Sequence, residues 1–157
     1  MTILEAERLS IAFDGLRAID EVSLAVEPGL VFSIIGPNGA GKTTLFNVFS
    51  GLYLPQGGRV LLAGEDVTGL APHRLARRGL SRTFQNLQIF FRMTAHENVM
   101  VVLVEHDMRL VMNISDRIHV LANGRTLAEG SAAEVRSNPA VVQAYLGVHG
   151  SAEAAVG

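Results

Sequence analysis

Apolar and polar positions along this chain follow two periodicities, and their succession predicts a mixed α/β order of elements. Residues 3–13 read as an edge strand with Phe13 at its end, and Val22-Ser23-Leu24-Ala25-Val26 alternates in polarity as a second short strand. Pro28-Gly29 is a turn. The apolar run Leu30 to Ile35 reads as a buried strand, and Leu45-Phe46-Asn47-Val48-Phe49 reads as a helix stopped by Gly51. Pro55-Gln56-Gly57-Gly58 turns into a strand from Arg59 to Ala63, ended by Gly64-Glu65-Asp66. Pro72 suits a first helical turn and opens a helix from His73 to Arg78, closed by Gly79. Leu80-Ser81-Arg82-Thr83-Phe84 reads as a strand leading to Gln85.

The middle of the chain carries conflicting signals. Thr94-Ala95-His96-Glu97 resembles a capping box and predicts a helix beginning near residue 95. Val99-Met100-Val101-Val102-Leu103-Val104 is uniformly apolar and largely β-branched, as in a buried parallel strand. A helix start running straight into a strand marks a seam near residues 99–102. Beyond it, Met108 to Ile114 reads as a helix, and Ile118–Leu121 and Thr126–Ala128 flank the hairpin turn Asn123-Gly124. Short helices come next over Ser131–Val135 and Val141–Leu146, separated by Asn138-Pro139. Residues 1–150 are expected to form one domain, and the small-residue stretch 151–157 a disordered tail.

The candidate chemistry lies between the first buried strand and the helix after it. Gly36-Pro37-Asn38-Gly39-Ala40-Gly41-Lys42-Thr43-Thr44 is a complete phosphate-binding loop of the G-x-x-x-x-G-K-[ST] type, in the strand–loop–helix setting that the motif requires. Glycines let the backbone curl around an anion with successive N–H groups pointing inward. The helix N-terminus adds partial positive charge. Lys42 is expected to reach the β- and γ-phosphates, and the Thr43 hydroxyl to ligate Mg²⁺.

Composition narrows the rest. The length of 157 residues suits one domain, and a hydrophobic content of 48% is ample for a core. A formal charge of −2 gives no electrostatic reason to expect nucleic acid. There is no cysteine, which excludes disulfides and cysteine-ligated metals and is compatible with a reducing cytosol. Met1 to Arg8 lacks the basic-then-apolar layout of a secretory signal, and Val99 to Val104 is far too short to span a bilayer. Membrane association is therefore expected through a partner, with no direct insertion. His73, Arg74, Arg77, Arg78 and Arg82 form a basic cluster, read as a solvated face.

Several segments carry a family resemblance. They are Ser33-Ile34-Ile35 entering the loop, Gly79-Leu80-Ser81-Arg82-Thr83-Phe84-Gln85-Asn86, and Phe90 to Val99. Further on come Val102-Leu103-Val104-Glu105-His106-Asp107-Met108, Ile114-Ser115-Asp116-Arg117-Ile118, Ala128-Glu129-Gly130, and Asn138-Pro139 with Tyr145-Leu146-Gly147. On these the chain resembles the ATP-binding subunit of an ABC transporter, most of all the branched-chain amino acid importer group, over residues 4 to 147 in two blocks. The resemblance implies an α/β P-loop NTPase core with an N-terminal antiparallel β portion. It implies that Phe13 stacks on adenine and that Gly36 to Thr44 hold the phosphates. Gln85 would touch Mg²⁺ or the attacking water and sense the membrane subunit. His106 would contact the γ-phosphate from the strand beside the loop. The implied cofactors are ATP and Mg²⁺, the latter held by Thr43 and Gln85. The implied partners are membrane subunits and a second ATP-binding subunit, at the cytoplasmic face of the cell membrane.

The chain departs from the family between the two blocks. The L-S-G-G-Q signature, the helical subdomain that bears it, and the Walker B strand ending in Asp-Glu are all absent from the sequence, as after an internal deletion. Val101-Val102-Leu103-Val104-Glu105 imitates a Walker B strand superficially, but the residues after it match the switch-histidine segment. Loss of a general base costs about 10²–10⁴-fold, so hydrolysis by this chain alone is expected to be very slow or absent. Removing a central strand is expected to force the sheet to re-pair, or the Gln85 segment to move, and to leave marginal stability. The alternative reading is a non-catalytic nucleotide-binding module that docks a membrane subunit through Gln85 to Met93. A small phosphoryl-transfer kinase fits the strands before the loop poorly.

Overall fold

In the computed structural model, which describes residues 2–82, 101–104 and 108–146, the first apolar stretch forms β1 (Leu4–Phe13) and returns as β2 (Leu16–Val26). Next come β3 (Val31–Ile35), α1 (Lys42–Phe49), β4 (Gly57–Leu62), β5 (Glu65–Asp66), α2 (Pro72–Arg77) and β6 (Val101–Val104). The chain continues as α3 (Met108–Ile114), β7 (Arg117–Ala122), β8 (Arg125–Gly130), α4 (Ala132–Ser137) and α5 (Pro139–Leu146).

The first sheet is antiparallel, in the order β2-β1-β4-β5. Strand β1 was expected at an edge, yet it lies between β2 and β4. The correction comes from a non-local pairing: after α1 the chain returns along β1 and sets Leu4 against Leu62 and Glu7 against Arg59. Strand β2 also begins at Leu16, well before the expected Val22.

Bulges reconcile these strands with their apolar pattern. The inward set on β1 is Leu4 and Ala6, then Leu9 and Ile11, so the parity slips between the two pairs. The register slips with it: Ala6 faces Leu24 while Leu9 faces Val22, leaving one extra residue on β1 at Glu7-Arg8. Next, Leu9 faces Val22 while Ile11 faces Ile19, so β2 carries an extra residue at Asp20-Glu21. One inserted residue restores the inward face that a strict alternation would lose. Arg8 and Glu21 take up the bend with φ of 46° and 54°.

The second sheet has the order β6-β3-β7-β8, with β6, β3 and β7 parallel and β8 antiparallel to β7. Strand β3 has neighbours on both sides, which explains why it is apolar at every position but Ser33. The Val99–Val104 conflict resolves as strand over Val101–Val104, whereas the capping box at Thr94–Glu97 lies outside the described residues. Among the described residues β6 ends the sheet, and the Gln85 segment expected to move or re-pair lies outside them. The Asn123-Gly124 turn has φ of 51° and 75°, both positive as a tight hairpin demands. Residues 80–82 show no strand, against the expectation for Leu80 to Phe84, whose last two residues are not described.

Two apolar cores flank β3. Phe32 and Ile34 join Leu45, Val48 and Phe49 of α1 and the inner face of the first sheet. Ile35 packs on the opposite side with Ile118, Val120, Val111, Val135 and Val141. Alternation along β3 thus glues the antiparallel sheet and α1 to one face, and α3, α4 and α5 to the other. Ser33 and Ser115, buried or half-buried, satisfy each other at 2.6 Å. Ser131 and Glu134 form a capping box that starts α4. The stretch 151–157 lies outside the described residues.

Candidate phosphate-binding site

The loop leaves the C-terminal end of β3 and enters α1 without an intervening element, because two glycines pack where no side chain fits. A Cβ on Gly36 would lie 2.2 Å from the Leu121 carbonyl oxygen, at a φ of 154°. A Cβ on Gly41 would lie 2.4 Å from the Ala18 carbonyl oxygen, at a φ of 98°. The loop backbone is therefore pressed against β7 on one side and β2 on the other. Gly41 is the N-cap of α1 and no side chain caps that helix, which begins three residues before the expected Leu45. The first-turn amides then face the loop as a group of donors suited to an anion.

Lys42 is the first residue of α1. Its Nζ donates to the carbonyl oxygens of Gly36 at 2.7 Å and Pro37 at 2.9 Å. An ammonium has three donors, so one remains for a ligand above the loop. Burial lowers the pKa of this lysine below the usual range. Ala40 is buried under the loop, Asn38 and Gly39 are exposed at its crest, Thr43 is exposed in the first helical turn, and Thr44 is half-buried beside it. The structure thus brings Gly36, Pro37, Asn38, Gly39, Ala40, Gly41, Lys42, Thr43 and Thr44 into one cradle.

Phe13 stands at the end of β1, 43% exposed, with its ring 5.2 Å from that of Tyr53 in an edge-to-face arrangement. Its exposure leaves ring surface available for stacking. Tyr53, just beyond α1, was missed in the sequence because nothing local links it to Phe13. Gln85 and His106 lie outside the described residues, as do Glu105 and the segment Gln85 to Met93. The strand before His106 is described: Val104 of β6 stands level with Ile34 of β3, so both parallel strands end on the loop side of the sheet.

The basic cluster divides. His73, Arg74 and Arg77 are exposed on or near α2, as expected, and Arg78 is 3.5 Å from Glu65. Arg82 departs from that face: its Nη1 donates to Asn47 Oδ1 and Ser50 Oγ, joining it to the end of α1. Among the described residues no group of three or more His, Asp or Glu side chains is placed to hold a metal ion.

Comparison with known proteins agrees with this geometry. The ABC transporter family model matches residues 19–144. The chain is 31% identical to the high-affinity branched-chain amino acid transport ATP-binding protein BraF of Pseudomonas aeruginosa, over 92% of this chain and 98% of BraF. That alignment runs over 249 positions and reaches near both ends of both proteins, so the difference in length is a long gap inside this chain. A probable branched-chain amino acid transport ATP-binding protein, LivG of Archaeoglobus fulgidus, is 41% identical over 74% of this chain and 46% of that protein. Among solved structures, a nucleotide-free ATP-binding cassette from an ABC transporter superposes with a TM-score of 0.82 at 22% identity, covering 92% of this chain and 99% of that one.

Proposed function

The chain belongs to the ABC transporter family as an ATP-binding subunit, and we propose that it binds Mg-ATP on the loop Gly36 to Thr44 with little or no hydrolysis of its own. The observation that carries this reading is the placement of Lys42 Nζ between the Gly36 and Pro37 carbonyls, in a loop whose backbone is clamped by β2 and β7. The β- and γ-phosphates would take the remaining Lys42 donor and the first-turn amides of α1. Thr43 would offer its hydroxyl to the Mg²⁺ that arrives with the nucleotide, and that ion neutralises phosphate charge. Phe13 would stack on the base.

The reading on hydrolysis rests on chemistry that the sequence lacks. The Asp-Glu pair after an apolar strand and the L-S-G-G-Q signature are absent, so no carboxylate is supplied at that point to orient water. Gln85 and His106 are the residues proposed to face the γ-phosphate. By the names of BraF and LivG, branched-chain amino acid import is the proposed transport process. In it the chain would act at the cytoplasmic face with membrane subunits and a second ATP-binding subunit. Among the described residues no helix is long and apolar enough to cross a membrane, so contact with the bilayer would run through those subunits.

The test is phosphate release measured at saturating Mg-ATP beside equilibrium binding on the same preparation. Saturable binding with release at the background of the Lys42→Ala variant supports the proposal. Release well above that background, lost in the variant, would show that another group replaces the missing carboxylates.

A further inference from the structure

We propose that Asp20 is a positioning residue for the phosphate loop: it clamps the Asn123-Gly124 turn to β2, and that turn in turn holds the loop through Ala40. The proposal deepens the nucleotide-binding reading and rests on it for its ligand.

The chain of contacts is continuous. The Gly124 N–H donates to the Ala40 carbonyl at 3.0 Å, and the Asp20 N–H donates to the Gly124 carbonyl at 2.9 Å. The Asp20 side chain closes the clamp. Arg125 donates to its Oδ2 from Nε at 2.8 Å and from Nη2 at 2.5 Å, and Arg17 donates to its Oδ1 at 2.6 Å. Loop, turn and β2 are also in direct backbone contact. A Cβ on Gly124 would lie 2.7 Å from the Ala18 carbonyl oxygen, and one on Gly41 would lie 3.5 Å from the Gly124 Cα.

The burial of Asp20 arises from the bulge in β2. Asp20 is 7% exposed and is the only buried carboxylate among the described residues. The extra residue at Asp20-Glu21 turns its side chain inward while the neighbouring Glu21 stays exposed and pairs with Arg8. A bulge that re-aims one side chain is a recurring device beside functional loops. A buried carboxylate must be paired, and here Arg125 holds Oδ2 while Arg17 holds Oδ1, so both oxygens are fixed. The hydrogen bonds from Arg125 and Arg17 accordingly hold this carboxyl below the usual carboxylate range. Both arginine side chains are largely exposed, so the contribution of the clamp is geometric more than Coulombic.

This geometry predicts a sign opposite to simple electrostatics. Removing a negative charge near an anion site should tighten phosphate binding. If Asp20 is a clamp, Asp20→Asn should weaken it, because the turn and loop lose their anchor. Glu21→Gln removes the same charge one residue away without touching Arg125 or Arg17, and it is the control.

The experiment compares the full chain with Asp20→Asn and Glu21→Gln in two measurements. Amide hydrogen exchange without ligand reads the Gly124 N–H against amides of β3 and β7. Titration with inorganic tripolyphosphate and with Mg-ATP reads the loop. The expected result for Asp20→Asn is about tenfold faster exchange at Gly124 with β3 and β7 unchanged, and affinity for both ligands lowered about fivefold. Glu21→Gln should leave Gly124 exchange unchanged and bind both ligands at least as tightly as the unmodified chain. Unchanged Gly124 exchange, faster exchange with unchanged affinity, or tighter binding in Asp20→Asn would overturn the proposal. If the unmodified chain takes up neither ligand, the nucleotide-binding reading fails, and the exchange measurement still decides whether Asp20 clamps the turn.

Discussion

Lys42 Nζ donates to the Gly36 carbonyl oxygen at 2.7 Å, closing the phosphate loop on itself from the first turn of α1. A compact ammonium fits between the Gly36 and Pro37 carbonyls and still offers a donor outward. A planar guanidinium has its donors in a fixed fork and cannot reproduce that arrangement. Lys42→Arg should therefore lose about tenfold or more in affinity for Mg-ATP although the charge is kept. Displacement of a fluorescent nucleotide analogue measures it.

Gly36 leaves no room for a methyl group, since its Cβ would meet the Leu121 carbonyl oxygen at 2.2 Å. Gly36→Ala should push the loop away from β7, abolishing nucleotide binding. It should also lower the melting temperature by about 6 °C, from roughly 2 kcal/mol of backbone strain. Thermal unfolding monitored by circular dichroism checks the second effect independently of ligand.

The Phe13–Tyr53 pair separates base contacts from phosphate contacts. Phe13→Ala should weaken Mg-ATP about tenfold, the value of one base–aromatic stack, while leaving inorganic tripolyphosphate binding unchanged. Tyr53→Ala should have a smaller effect of the same kind, because it removes only the edge-to-face support at 5.2 Å. Parallel titrations of the two ligands distinguish this from a general loss of folding.

Acid should weaken the fold through Glu129, which lies opposite His119 on the Phe32 and Ile34 face of the second sheet. Its Oε2 lies 2.8 Å from Nδ1 of the fully buried His119, and its Oε1 accepts from Arg117 at 3.0 Å. The His119 hydrogen bond, and after it that of Arg117, hold the Glu129 carboxyl below the usual glutamate range. A carboxyl lowered in the folded state stabilises the fold above its ordinary pKa. That contribution is lost as the pH falls through the lower, folded-state value. Glu129→Gln should be less stable than the unmodified chain at neutral pH, and the gap should close below the ordinary glutamate range. Urea midpoints measured across that interval report it.

Local signals in the sequence carried much of this architecture. The apolar run before Gly36, Pro72 at the head of α2, and Asn123-Gly124 at the hairpin each depend on neighbouring residues alone, and each stands where expected. The phosphate loop was legible for the same reason, being one continuous stretch with diagnostic glycines. The features that escaped depend on distant partners. Strand β1 is interior because β4 returns to pair with it, and Arg82 leaves the solvated face because Asn47 accepts its hydrogen bond. Asp20 and Arg125, 105 residues apart in sequence, meet only through the bulge and the hairpin. The placements of Gln85 and His106 rest on their resemblance to the family alone.

The central claim is that the loop Gly36 to Thr44 remains a working nucleotide site in a chain that lacks the segment between its two blocks. Calorimetric titration of the purified chain with Mg-ATP, beside Lys42→Ala, tests it most directly. Saturable binding that disappears in Lys42→Ala is the predicted result. No heat of binding in the folded, unmodified chain, or binding that survives in Lys42→Ala, would contradict it.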